Sequence, residues 1–141
     1  LIPQIGDFLE NGYSQEEMKL QNEGRKIFHA PDLKVSCTTV RVPVMRSHSI
    51  SVNLFCEKKP DLGAVRDAIE QAKGLVLCDS PSEKIYPMPL LSSDGDDVFV
   101  GRIRRDLISD KGLSLFCCGD QLRKGAATNA IEIAEIAASI R

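Results

Sequence analysis

Alternation at positions 49–54 sets Ile50, Val52 and Leu54 against Ser49, Ser51 and Asn53, which predicts a strand with one buried and one wetter face. Leu62, Val65, Ile69 and Ala72 then recur at helical spacing behind Asp61, a good N-cap, and Gly74 ends that helix after about Lys73. Leu75–Cys78, Val98–Arg104 and Leu113–Cys118 read as further apolar strands, the last two joined by a turn near Asp110-Lys-Gly112. The stretch from Asp79 to Asp97 holds Pro81, Pro87, Pro89 and Gly95 and reads as loop with at most short strands. Leu122, Ala126, Ala130, Ile133, Ala137 and Ile140 trace a helical stripe to the end of the chain.

The first third is more polar. Leu1–Ile5 reads as a connector, with Gly6 and Gly12 limiting any regular element. Ser14 caps a helix expected to run to about Phe28, with Glu16 and Glu17 in the first turn, where the helix dipole favours acids. Val35–Val42 is rich in β-branched residues and predicts a strand that Pro43 ends, the chain turning back by His48. The order α-β-β-α-β-β-β-α gives an α/β chain of the α+β type: a mixed, largely antiparallel sheet covered by helices, in one domain over 1–141.

Composition narrows the function classes. With 43% hydrophobic and 27% charged residues the chain is ordinary globular protein. Its net charge of -2 supplies no bulk pull toward nucleic acid or an anionic membrane, and neither is expected as a partner. No apolar run approaches the roughly 18 residues of a membrane span. The chain opens on Leu1 rather than Met, so a missing N-terminal part is expected, and with it any targeting segment. Five cysteines, at 37, 56, 78, 117 and 118, show no C-x-x-C spacing and read as buried structural thiols in a reducing, cytoplasmic setting, with no metal site.

Four places can carry chemistry. Arg41 offers a planar fork suited to a carboxylate, although composition alone favours an arginine at a strand end, solvated or in a structural ion pair. His48 can move protons at neutral pH, and equally fits a satisfied histidine at the edge of the core. Glu16 and Lys19 share a helix face, where they can bind an ammonium and a phosphate or simply pair with each other. Gln121 stands at the start of the small-residue segment Gly119–Asn129 with its amide free for a ligand, while Ala126 and Ala127 fit tight helix–sheet packing. The chain has no G-x-G-x-x-G, P-loop, H-E-x-x-H or G-x-S-x-G.

Five segments in order resemble the C-terminal catalytic and dimerisation domain of the aspartate-β-semialdehyde dehydrogenases. They are Leu1-Ile-Pro-Gln-Ile5, Glu16-Glu-Met-Lys19 with Glu23-Gly-Arg-Lys-Ile27, Arg41-Val-Pro-Val44 with His48, Val100-Gly-Arg-Ile-Arg104, and Asp120-Gln-Leu-Arg-Lys-Gly-Ala-Ala127. The resemblance implies the fold of the C-terminal domain of glyceraldehyde-3-phosphate dehydrogenase-like enzymes. It implies interconversion of L-aspartate 4-semialdehyde, inorganic phosphate and NADP⁺ with 4-aspartyl phosphate and NADPH, in the biosynthesis of lysine, threonine and methionine. By the same resemblance His48 is the general acid/base, Arg41 binds the substrate carboxylate and Glu16 its ammonium. Lys19 then binds phosphate, Gln121 contacts the NADP cofactor, and the domain forms a homodimer. The family's cysteine nucleophile and N-terminal NADP-binding domain are absent from this sequence, and Cys37 lacks the Gly-rich context to replace that nucleophile. A truncated piece, inactive alone, is expected. A related acyl-phosphate reductase shares the fold but is not expected to carry the set Glu16, Lys19, Arg41 and His48. A stand-alone small-molecule-binding or dimerisation module is the reading from a different class.

Overall fold

The computed structural model describes residues 1–140, which fall into two compact units divided after Pro43. In the first, helix α1 spans Gln15–Ile27. Ser14 and Glu17 close a capping box at its start, each side chain meeting the other's backbone N–H, so two of the helix's orphan donors are satisfied. Acids in the first turn and Arg25 and Lys26 in the last complement the dipole.

The strand expected over Val35–Val42 does not form. That stretch is irregular apart from one bridge, in which Arg41 and Ile2 exchange backbone hydrogen bonds of 2.8 and 3.0 Å. The two-residue rhythm survives all the same: Leu33, Val35, Cys37 and Thr39 are half-buried, and Lys34, Ser36, Thr38 and Val40 are exposed. β-branched composition favours extended backbone, but a ladder needs a partner strand, and this unit supplies none among its described residues. A side chain partly replaces it, for Thr39 N–H donates to Glu17 Oε1 at 2.9 Å.

The second unit is built on a four-stranded mixed sheet in the order β1-β4-β3-β2. Its strands are β1 (His48–Phe55), β2 (Leu75–Leu77), β3 (Val98–Arg105) and β4 (Gly112–Gly119). β1 and β3 flank β4 antiparallel, and β2 joins β3 in parallel. Helix α2 (Leu62–Gln71), capped by Asp61, connects β1 to β2 and packs against β2 and β3. The short α3 (Pro89–Ser92) lies against β4.

The core is small: Cys78, Val100, Ile103, Leu113 and Cys118 are its buried apolar side chains. Gly101 lets β2 and β3 come together there, since a Cβ at that position would stand 2.0 Å from the Cys78 carbonyl oxygen. Just beyond, the β3–β4 register slips between Gly101 and Arg104, with Arg102 at φ 56°.

Three expectations need correction here. The face carrying Ile50 and Leu54 is not buried; these side chains are 52% and 43% exposed, because β1 is the edge strand and no element among the described residues of this unit packs closely over it. Cys56 is exposed, as it lies just past the end of β1 rather than within the sheet. The terminal helix starts as a π turn, Arg123–Ala127, before α4 (Thr128–Ser139). Ala126 and Ala127 are exposed there rather than packed on the sheet, and so are Ile131, Ile133 and Ile136.

Candidate functional site

In the first unit Glu16 and Lys19 sit on one face of α1 and meet in a 3.5 Å ion pair open to solvent. Arg41 is held by its backbone to Ile2, and its side chain is exposed and forms no ion pair among the described residues. A small open hollow of about 200 Å³ is lined by Tyr13, Met18, Gln21 and Cys37 among others, and none of Glu16, Lys19 and Arg41 borders it. Glu17, by contrast, is buried and structural. Its carboxylate accepts the N–H groups of Ser14 at 2.8 Å and Thr39 at 2.9 Å, which hold its pKa below the ordinary value. Its sequence signal was the spacing Ser14-x-x-Glu17.

In the second unit His48 opens β1 opposite Gly119, the last pair of the β1–β4 ladder. Its ring is exposed and free of hydrogen bonds among the described residues. Where the backbone ladder stops, side chains continue it. Ser47 N–H donates to Gln121 Oε1 at 2.7 Å, and Arg46 Nε lies 2.6 Å from Asp120 Oδ2, at ion-pair distance though off hydrogen-bond alignment. Ser47 is buried, its Oγ is 3.0 Å from Ser93 Oγ, and its φ of 76° lies in the left-handed region. Gln121 is therefore only half free: its oxygen is taken, and its Nε2 has no partner among the described residues.

Asp120 anchors this junction. Its fully buried carboxylate accepts Leu122 N–H at 2.8 Å, Arg123 N–H at 3.1 Å and Asp94 N–H at 2.7 Å. Burial pushes its pKa up, but the backbone donors of Asp94, Leu122 and Arg123, joined by Arg46, outweigh that and hold it at about 2. Arg46 also reaches Asp94 Oδ1 at 2.6 Å. One step further Asp96 takes Arg123 in a two-pronged pair at 2.9 and 2.6 Å and accepts the Thr128 hydroxyl. Those donors hold Asp96 at about 2 as well. Sequence pattern assigns no role to Arg46, Ser47, Asp94 or Asp120, since only three-dimensional pairing brings them together. No cluster of three or more metal-ligating side chains occurs among the described residues.

A mixed four-stranded sheet with helices packed on it, bringing an exposed histidine against a glycine–aspartate–glutamine corner, defines the second unit as an α+β domain. The model of the semialdehyde dehydrogenase dimerisation domain matches residues 1–124, and the chain belongs to that family. It is 47% identical over 135 residues to the aspartate-semialdehyde dehydrogenase of Campylobacter jejuni, covering 96% of this chain and 39% of the relative. The enzyme of the same name from Helicobacter pylori strain J99 is 50% identical over 133 residues, covering 94% and 38%. Among solved structures, aspartate semialdehyde dehydrogenase II of Vibrio cholerae superposes with a TM-score of 0.91 at 40% identity, over 96% of this chain and 40% of that one. The same Vibrio enzyme complexed with ASA gives 0.90 at 41% identity, over 95% and 39%. The chain thus spans about two fifths of the length of the relatives it matches.

Proposed function

We propose that this chain is the substrate-binding and acid–base portion of an aspartate-semialdehyde dehydrogenase, which interconverts L-aspartate 4-semialdehyde and phosphate with 4-aspartyl phosphate. The carrying observation is the exposed, unpaired imidazole of His48 at the mouth of β1, beside the half-free amide of Gln121. A group without internal partners, fixed at a strand end, is available to take a proton from a substrate group and return it. Arg41 carries an exposed fork suited to the substrate α-carboxylate. Glu16 and Lys19 exchange their mutual pair for the substrate ammonium and for phosphate, a change of partner that costs little because an exposed ion pair is weak.

NADP supplies the hydride exchange. The fit is partial: Gln121 Nε2 is an open donor that suits a carboxamide carbonyl, whereas the chain has no Gly-rich turn to cradle the dinucleotide phosphates. The nucleotide fold and the cysteine nucleophile therefore belong to other parts of the enzyme. Pairing with a second copy completes the reading, supported by the family's dimerisation domain and by the uncovered edge strand β1.

The test is a chimera in which this chain replaces the matching region of the Campylobacter jejuni enzyme. Phosphate-dependent reduction of NADP⁺ by L-aspartate 4-semialdehyde is expected from the chimera and none from the chain alone. A chimera that folds and binds NADP⁺ without turnover, or a chain active by itself, contradicts the proposal.

A further inference from the structure

A constrained point of the second unit is the residue before His48, read above as the proton carrier. Ser47 is 4% exposed, has a φ of 76° and is not glycine. A side chain in that region is held there only when its surroundings over-determine it. Three contacts do so: Gln121 Oε1 on its N–H, Ser93 Oγ on its hydroxyl, and the neighbouring Arg46 tied to Asp120 and Asp94. The contact at the N–H also fixes the orientation of Gln121. A backbone N–H can only donate, so the amide oxygen must face it and the Nε2 must face away.

We propose that Gln121 is a positioning residue for His48, acting through the Ser47 peptide, so that the Gln121 amide and the imidazole read as the proton carrier are set as one unit. The inference rests on the reading of His48 as proton carrier. Loss of the Gln121 oxygen leaves the Ser47 N–H without its acceptor and releases the left-handed turn. The ring of His48 then leaves its place at the end of the β1–β4 ladder, and proton transfer slows even where substrate still binds.

The experiment has two readouts. In the 141-residue chain, amide hydrogen exchange of Ser47 is followed by NMR for the native sequence and for Gln121→Leu, Gln121→Asn and Gln121→Glu. In the chimeric enzyme, kcat, KM for the semialdehyde and the solvent deuterium isotope effect on kcat are measured for the same set. Gln121→Leu is expected to speed Ser47 exchange at least ~10-fold, a loss of protection equal to one released hydrogen bond. It is also expected to lower kcat ~10-fold or more with KM within ~3-fold, and to raise the solvent isotope effect. Gln121→Asn, one methylene too short, follows it should Gln121→Leu fail to fold. Gln121→Glu keeps an acceptor and restores Ser47 protection. Unchanged Ser47 exchange in Gln121→Leu or Gln121→Asn overturns the proposal, and so does faster exchange with an unaltered solvent isotope effect. Failure of the underlying reading looks different: His48→Asn in the chimera then leaves kcat intact whatever Ser47 does.

Discussion

Gln121 Oε1 and the Ser47 N–H stand 2.7 Å apart across 74 residues of sequence. They extend the β1–β4 pairing past His48 and Gly119, its last backbone pair, so the His48 end of β1 is fastened to a helix start by side chains rather than by the ladder. Asp120, next to Gln121, anchors the same corner through Arg46 and Asp94.

Asp120→Asn tests that corner. The amide keeps the shape but loses charge, turns a donor toward the N–H groups now accepted, and leaves Arg46 with Asp94 alone. A partly buried guanidinium stripped of its buried partner is costly. The melting temperature, followed by circular dichroism, is expected to fall by on the order of 5–10 °C.

Ser14→Ala removes the hydroxyl that accepts the Glu17 N–H in the α1 capping box. The expected loss is about 1 kcal/mol in urea denaturation, with the slope against denaturant unchanged. Ser14→Asp, which caps equally well, is expected to recover most of it.

Acid stability follows from Asp96 and Asp120. Both have native pKa values of about 2 against an ordinary 3.8, so the unfolded chain binds more protons between these values. The stabilisation is fully present above about pH 4 and is lost as pH falls toward 2. Urea denaturation between pH 6 and pH 2 is expected to show this decline. The Asp96→Asn/Asp120→Asn pair is expected to flatten it, and an equal slope in the double variant counts against these assignments.

Gly101→Ala places a methyl group 2.0 Å from the Cys78 oxygen and 2.8 Å from Pro87 Cδ, between a backbone carbonyl and a rigid proline ring that cannot yield cheaply. A destabilisation of about 3 kcal/mol or more is expected, and the cross-peaks of β2 and β3 in an NMR spectrum are expected to move most.

Much of this was legible in the sequence because local rules and global fold agree. Asp61 and Ser14 cap the helices they predict, and the apolar runs after Gly74, before Arg104 and before Gly119 became β2, β3 and β4. Two of the failures share one cause. Val35–Val42 has strand composition without a partner strand, and Ile50 and Leu54 have core periodicity without a covering layer. Periodicity tells which side of an element is apolar and nothing about what lies over it. The candidate site divides in the same way. His48, Arg41, Glu16, Lys19 and Gln121 were visible as residue types in family-like segments. Arg46, Ser47 and Asp120 act through a backbone angle and through pairings 74 residues apart, which no local pattern encodes.

The central claim is that His48 moves the proton in a phosphate-dependent semialdehyde dehydrogenase. Its most direct test is kcat of the chimeric enzyme carrying His48→Asn, measured with L-aspartate 4-semialdehyde, phosphate and NADP⁺. A fall of roughly 10²–10⁴ with cofactor binding and melting temperature preserved is the predicted result. Turnover within ~3-fold of the unsubstituted chimera would contradict the account.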